Sequence, residues 1–250
     1  MRYTLPRYSV SFTWYKSRKL VSDLFSDEAK ESMKILDVGC GDGGNIRMFN
    51  GLSPIAEKMY FYGVDASPRL IELANEYNKK NEIKNCFFEV GNAEDLPYED
   101  GEFDIVVHTE VLEHLLHPEI ALSEIYRVLK NGGAATITTP NRENILRKIA
   151  GTRLKEYIEK DYKKIETRPI PDDERLYGHI SVMSSKELVQ MVKNLGFKIE
   201  KIKRASLVYG QPFFDRHQVM FGIILIIDSI LDHIPRTYNF SWGIVLKLIK

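Results

Sequence analysis

At 250 residues, 44% of them hydrophobic, the chain is long enough to bury a core of its own, and one α/β domain with insertions accounts for the length. Its 35 basic and 35 acidic residues cancel, which argues against a basic surface built for DNA. Two cysteines, Cys40 and Cys86, are too few for a disulfide framework and fit a reducing cytoplasm.

From Met1 to Leu20 aromatics alternate with Arg and Lys, with no continuous apolar stretch of the signal-peptide kind. The apolar run Lys34-Ile35-Leu36-Asp37-Val38, closed by glycines, then predicts a buried parallel strand. Phe61–Asp65 predicts a second strand ending on a carboxylate. Ser67 caps the helix that follows, with Pro68 in its first position and Leu70, Ile71, Leu73 and Ala74 along one face. Cys86–Val90 reads as a third, buried strand and Phe103–Val107 as a fourth. Pro118–Lys130 has helical apolar spacing and is expected to end in left-handed geometry at Asn131-Gly132-Gly133. Ala134–Thr139 is a fifth strand, stopped by Pro140.

This alternation predicts an α/β fold: a Rossmann-like, doubly wound and mostly parallel sheet with helices on both faces. Ligands in such folds sit at the carboxyl ends of the strands. Asp37–Gly44, Asp65, Asn92–Glu94 and Thr109–Glu113 all fall there, so four loops converge on one crevice.

Arg142–Arg175 breaks the rhythm. It is long, charged and poor in apolar periodicity, and reads as a lid over the crevice. Arg142–Arg168 carries more basic than acidic residues before Asp172-Asp173-Glu174 reverses the sign, which is either a solvated face or a means of steering an anionic acceptor. Ser184 and Glu187 form a capping box for a helix whose buried face is Leu188, Val189, Met191, Val192 and Leu195, ended by Gly196. Phe197–Leu207 and Ser241–Ile249 are the last strands. Between them, Val219–Ile227 is an unbroken apolar run, well short of the roughly 20 residues that span a bilayer. A buried helix is the simpler expectation; a helix lying on a membrane over 219–234, or walling a pocket for a greasy substrate, is the other. The whole is read as one domain: an N-terminal segment 1–33, a core 34–141, a lid 142–183, and a C-terminal part 184–250 with an apolar insertion at 208–240.

The loop Gly39-Cys40-Gly41-Asp42-Gly43-Gly44 fits G-x-G-x-x-G, a pattern that leaves a dinucleotide and S-adenosylmethionine both open. Asp37 favours the second. A buried strand rarely spends a position on an unpaired carboxylate, and the ammonium of adenosylmethionine gives it a partner. The polar loop Gly91–Pro97 suits an adenine edge.

The strings ILDVGCGDGG, GVDASP, GNAEDLPYEDGEFDIVV, EVLEHLLHP and YRVLKNGGAATITTPN resemble successive motifs of class I S-adenosylmethionine-dependent methyltransferases, most of all the branch of ubiquinone- and menaquinone-biosynthesis enzymes. The likeness runs from about Lys34 to Asn141, with a weaker echo in Gly178-His179-Ile180 and Ser185–Phe197. It implies a seven-stranded sheet whose last strand is antiparallel, in a hairpin with the one before. It also implies that Gly39, Cys40, Gly41 and Gly43 wrap the methionine portion, with Asp37 serving its ammonium and Thr109 and Glu110 lining that end. Asp65, with Ala66 beside it, would hold the ribose diol, and Ala93 and Glu94 would flank the adenine. Asn92 stands where the family often has Asp; its amide oxygen can accept from the adenine amine, but without charge assistance.

Transfer from a sulfonium requires alignment and exclusion of water, and a base only where the acceptor atom carries a proton. His114 and His179 are the candidates, with His117 behind them; for His114 a structural hydrogen bond near a helix start is the bland reading. Glu110, Glu113 and His114, with His179 downstream, also resemble the metal-binding string of small-RNA terminal 2′-O-methyltransferases. Metal-free relatives carry a similar string, so no metal is expected. The resulting expectation is a methyltransferase acting on a small or lipid-like acceptor and releasing S-adenosylhomocysteine. A non-catalytic adenosylmethionine-binding protein is the alternative, and a nicotinamide dehydrogenase the third reading.

Overall fold

The structure, a computed structural model, describes residues 9–52, 55–143, 180–206, 217–234 and 236–250. Seven strands pair into one sheet: Lys34–Val38 (β1), Tyr60–Asp65 (β2), Cys86–Val90 (β3), Phe103–Thr109 (β4), Leu129–Pro140 (β5), Lys198–Arg204 (β6) and Gly243–Ile249 (β7). Their order is β3-β2-β1-β4-β5-β7-β6. β1 to β5 are mutually parallel, and β7 runs antiparallel between β5 and β6. Winding reverses between β1 and β4, which puts the ligand crevice at their carboxyl ends.

The helices are Ser9–Glu28 (α1), Gly44–Leu52 (α2), Pro68–Lys80 (α3), Pro118–Val128 (α4), Ser185–Asn194 (α5) and Gln218–Leu231 (α6). Successive side chains of a strand face opposite ways, so β1 feeds two cores. Leu36 and Val38 pack with Leu122, Ile125 and Val128 of α4 and Leu188 and Val192 of α5. Ile35 packs on the other face with Val21, Leu24 and Phe25 of α1 and Ile46 and Phe49 of α2. The capping signals act as expected. Ser67 accepts from the Leu70 amide, and Ser184 and Glu187 close a full capping box.

Four expectations are corrected. Cys86–Val90 is a strand but not a buried one: it is the sheet edge, with Phe87 and Val90 about half exposed. α4 stops at Val128, because fully buried Leu129 turns extended and pairs with Phe103; sheet pairing prevails over helix propensity there. Gly132 does take a left-handed φ of 78°, but inside the irregular start of β5. β5 then continues through Pro140, which pairs with Gly243. Finally, α6 is not buried: among its described side chains only Phe221 and Asp228 are, and Val219, Ile226 and Ile230 stand 80%, 63% and 58% exposed.

Of the lid segment 142–183, residues 144–179 lie outside the described residues, Gly178 and His179 among them. The two described ends of that segment meet: the Arg142 amide donates to the Met183 carbonyl at 2.9 Å.

Candidate functional site

A cavity of about 620 Å³ opens at the carboxyl ends of β1, β2 and β4. Its floor is the glycine turn, pinned to the sheet by the amides of Gly39 and Cys40, which donate to the Val64 carbonyl at 2.8 and 3.1 Å. Gly39 has φ of 76°, and a Cβ there would stand 2.3 Å from a Val111 methyl. Only glycine satisfies both the left-handed backbone and that close approach.

Asp65, at the end of β2, is oriented by the same turn. The Gly41 amide donates to its Oδ2 at 2.8 Å and the Ser67 amide to its Oδ1 at 2.9 Å. Each oxygen accepts one of these bonds and keeps further acceptor capacity, and Asp65 and Ala66 both line the cavity.

Asp37 is wholly buried and does not itself line the cavity. Its Oδ1 accepts from Asn45 Nδ2 at 3.4 Å, a long bond, while Oδ2 has no partner. Burial pushes the carboxyl up to about 7; the Asn45 bond opposes this, and the Asp65 charge adds to it. Asn45, which does line the cavity, donates a shorter bond of 2.8 Å to Thr109 Oγ1. Polar access from the cavity to Asp37 therefore runs through Asn45. Cys40 lines the cavity as well, its thiol kept protonated by burial and by the nearby carboxylates of Asp37 and Asp65.

Asn92 and Ala93 reach the cavity, and Asn92 Oδ1 already accepts from the Glu94 amide at 3.0 Å. Two of the expected residues do not line the cavity. Glu94 turns away, its Oε1 accepting the His117 amide at 2.9 Å at the start of α4, where a carboxylate meets the positive end of the helix. Gly43 packs under Phe88, whose ring would lie 2.7 Å from an added Cβ, and does not line the cavity.

The loop after β4 carries strain and charge together. Glu110, a non-glycine residue, sits at φ 56°. Both its ends are tied to β5: its amide donates to the Thr138 carbonyl at 3.0 Å and its Oε1 accepts from Thr138 Oγ1 at 2.7 Å. Glu113, nearly inaccessible, accepts from Thr139 Oγ1 at 3.1 Å. Burial raises both carboxyls above the ordinary range, and the Glu110 charge raises Glu113 further. Because these side chains turn to Thr138 and Thr139, Glu110, Glu113 and His114 do not converge; among the described residues no group of three His, Cys, Asp or Glu does. His114, on a 3-10 turn, lines the cavity with its Nε2 4.0 Å from Glu113 Oε1. His117 is exposed beside Glu119 and lies off the cavity.

The sequence reading missed Asn45, although it adjoins the glycine motif. It also missed Ser17, Arg18 and Val21 of α1, Thr138, Ala205 and Trp242. No spacing rule marks these, since α1 and β7 reach the cavity from opposite ends of the chain.

A family model described as a methyltransferase domain matches residues 29–204. An uncharacterized protein of Methanocaldococcus jannaschii is 31% identical over 176 residues, 70% of this chain and 69% of its own length. An uncharacterized methyltransferase of Schizosaccharomyces pombe is 41% identical over 110 residues, 42% of this chain; the match spans only 38% of that relative. The YcgJ protein of Bacillus subtilis shares the fold, with a TM-score of 0.57 at 18% identity over 94% of this chain and 96% of that one. The family match takes in the four loops at the carboxyl ends of β1 to β4, and the chain belongs to the family of methyltransferase domains.

Proposed function

We propose that this chain is an enzyme that binds S-adenosylmethionine in the cavity above β1 and β4, moves the methyl group to a small or amphiphilic acceptor, and releases S-adenosylhomocysteine. The observation that carries the reading is the hold on Asp65: two backbone amides fix its carboxylate beside a glycine turn and leave it free to accept from a ribose diol. The rest of the cavity fits the same ligand. Gly39, Cys40 and Gly41 would flank the methionine portion, and Asn45 and Thr109 its amino-acid end. Behind Asn45, the unpartnered Oδ2 of Asp37 supplies the counter-charge an ammonium needs. Asn92 and Ala93 would take the adenine. Glu94 and Gly43 have structural work elsewhere and are left out of this assignment.

Bound there, the cofactor supplies a methyl carbon already activated on a sulfonium. The side chains then have to align the acceptor and keep water out. Val21, Val111 and Leu115 form an apolar wall, and Trp242 stands on the β7 side. Where the acceptor is a hydroxyl, phenol or amine, His114 takes its proton, being the described histidine on the cavity wall.

Calorimetric titration with adenosylmethionine and adenosylhomocysteine, followed by labelled methyl transfer to aqueous and lipid extracts, tests both halves. Micromolar binding with label in an extractable product is expected. Tight binding with no transfer to any acceptor would make this a binding protein; binding of NAD(H) with adenosylmethionine excluded would overturn the cofactor.

A further inference from the structure

α6 is inside-out. Its outward stripe is Val219, Ile223, Ile226, Ile227 and Ile230, at the i, i+4, i+7, i+8, i+11 spacing of one helical face, and every member is at least 40% exposed. Its inward face carries the charge. Asp228 is 1% exposed and bonded to the guanidinium of Arg204, itself buried, and to Lys16 of α1 at 2.5 Å. Asp232 pairs with Lys16 at 2.8 Å and Arg204 at 2.7 Å.

That cluster decides the helix's rotation. Rolling α6 to bury the isoleucines would withdraw Asp228 from Arg204 and leave a buried guanidinium without its carboxylate, which is strongly destabilising. The exposed stripe is thus imposed by charges beneath it.

The rim of the stripe is basic. Where α6 ends, a cleft of about 390 Å³ is lined by Lys203, Arg204, Asp232, His233, Ile234 and Arg236 among others. Lys16 and Arg204 neutralise Asp228 and Asp232, and among the described residues no carboxylate bonds Lys203 or Arg236, both exposed. Exposed Ile234 joins this cleft to the stripe. An apolar face with a cationic end is complementary to an anionic bilayer, which covers the isoleucines and neutralises Lys203 and Arg236 together. A second copy of the chain would supply only the first. Fourteen residues make about 21 Å of helix, short of the ~30 Å hydrocarbon layer, so such a helix lies on a bilayer rather than across it.

We infer that α6 docks the protein on an anionic membrane surface, with Val219, Ile223, Ile226, Ile227 and Ile230 in the acyl–headgroup boundary and Lys203 and Arg236 among the headgroups. Lys16 and Arg204, which hold α6 from beneath, are the chain neighbours of Ser17 and Ala205 on the cavity wall.

Flotation of the full chain with phosphatidylcholine vesicles, with and without phosphatidylglycerol, reads binding without activity and so separates this inference from the methyl-transfer reading. The wild type should float with the anionic vesicles and fall off as salt rises. I226E/I230E, at exposed positions that leave the ion-pair cluster intact, should lose flotation. K203E/R236E should weaken it at least fivefold per residue, as expected for about 1 kcal/mol per cation. No flotation of the wild type, equal flotation of wild type and I226E/I230E, or a dimer in light scattering that I226E/I230E dissolves without any vesicle binding would each overturn it.

Discussion

The amide of Gly41 donates to Oδ2 of Asp65 at 2.8 Å, so the turn after β1 and the end of β2 are one unit. The bond closes across the glycine loop and holds the carboxylate before any ligand arrives, which lowers the ordering cost of binding.

Replacing Asp65 with Ala removes a charged acceptor and unties Gly41. At about 1.5–3 kcal/mol per hydrogen bond to a charged group, adenosylmethionine affinity should fall by about 10- to 100-fold. Calorimetry checks this, and an unchanged affinity would exclude Asp65 from the ribose role.

Asp37 makes a pH prediction whose sign is opposite to that of a salt-bridged carboxylate. Its folded value of about 7 lies above the ordinary 3.8, so the folded state holds the proton more tightly than the unfolded one. Its contribution is present below about pH 4 and is lost as pH rises through 7. D37N should therefore melt several degrees above the wild type at pH 8, with the gap closing toward pH 4. Adenosylmethionine, whose ammonium favours the ionised form, should release a proton on binding near pH 7, readable as a dependence of calorimetric heat on the buffer.

Gly39 and Val111 should behave as a coupled pair. G39A forces a left-handed backbone on alanine, about 1–2 kcal/mol, and adds a clash with Val111 of about 1–3 kcal/mol. In urea unfolding, G39A should cost less in a V111A background than alone, because only the clash is relieved.

Asn92 offers a gain. Its Oδ1 accepts the Glu94 amide, a role a carboxylate can keep while making the bond to an adenine amine charge-assisted. N92D should tighten adenosylmethionine binding about fivefold, equivalent to roughly 1 kcal/mol. Weaker binding would mean that the second lone pair of Asn92 does not face the adenine.

The strand-end loops that line the cavity were legible in the sequence because their parts are local. A glycine turn after a strand, a carboxylate at the end of the next, and a polar loop after the third are set by backbone geometry within a few residues, and Gly39, Cys40, Gly41, Asp65, Asn92 and Thr109 stand where spacing put them. Glu94 lies off the cavity lining for a reason invisible in one dimension: the backbone amide at the start of α4 engages its carboxylate. Thr138 and Trp242 carried no motif at all.

What the sequence by itself determined is therefore the succession of strands and helices up to β5, the capping of α3 and α5, and the family. Short-range sterics and hydrophobic period encode all of these. Only the tertiary structure decided which side of α6 faces outward. Periodicity could not separate the faces of a helix apolar nearly all round; the choice falls to Lys16, 212 residues away from Asp228, and to Arg204 beneath it. A buried ion pair is worth keeping only when complete, and completing this one leaves the isoleucines outside.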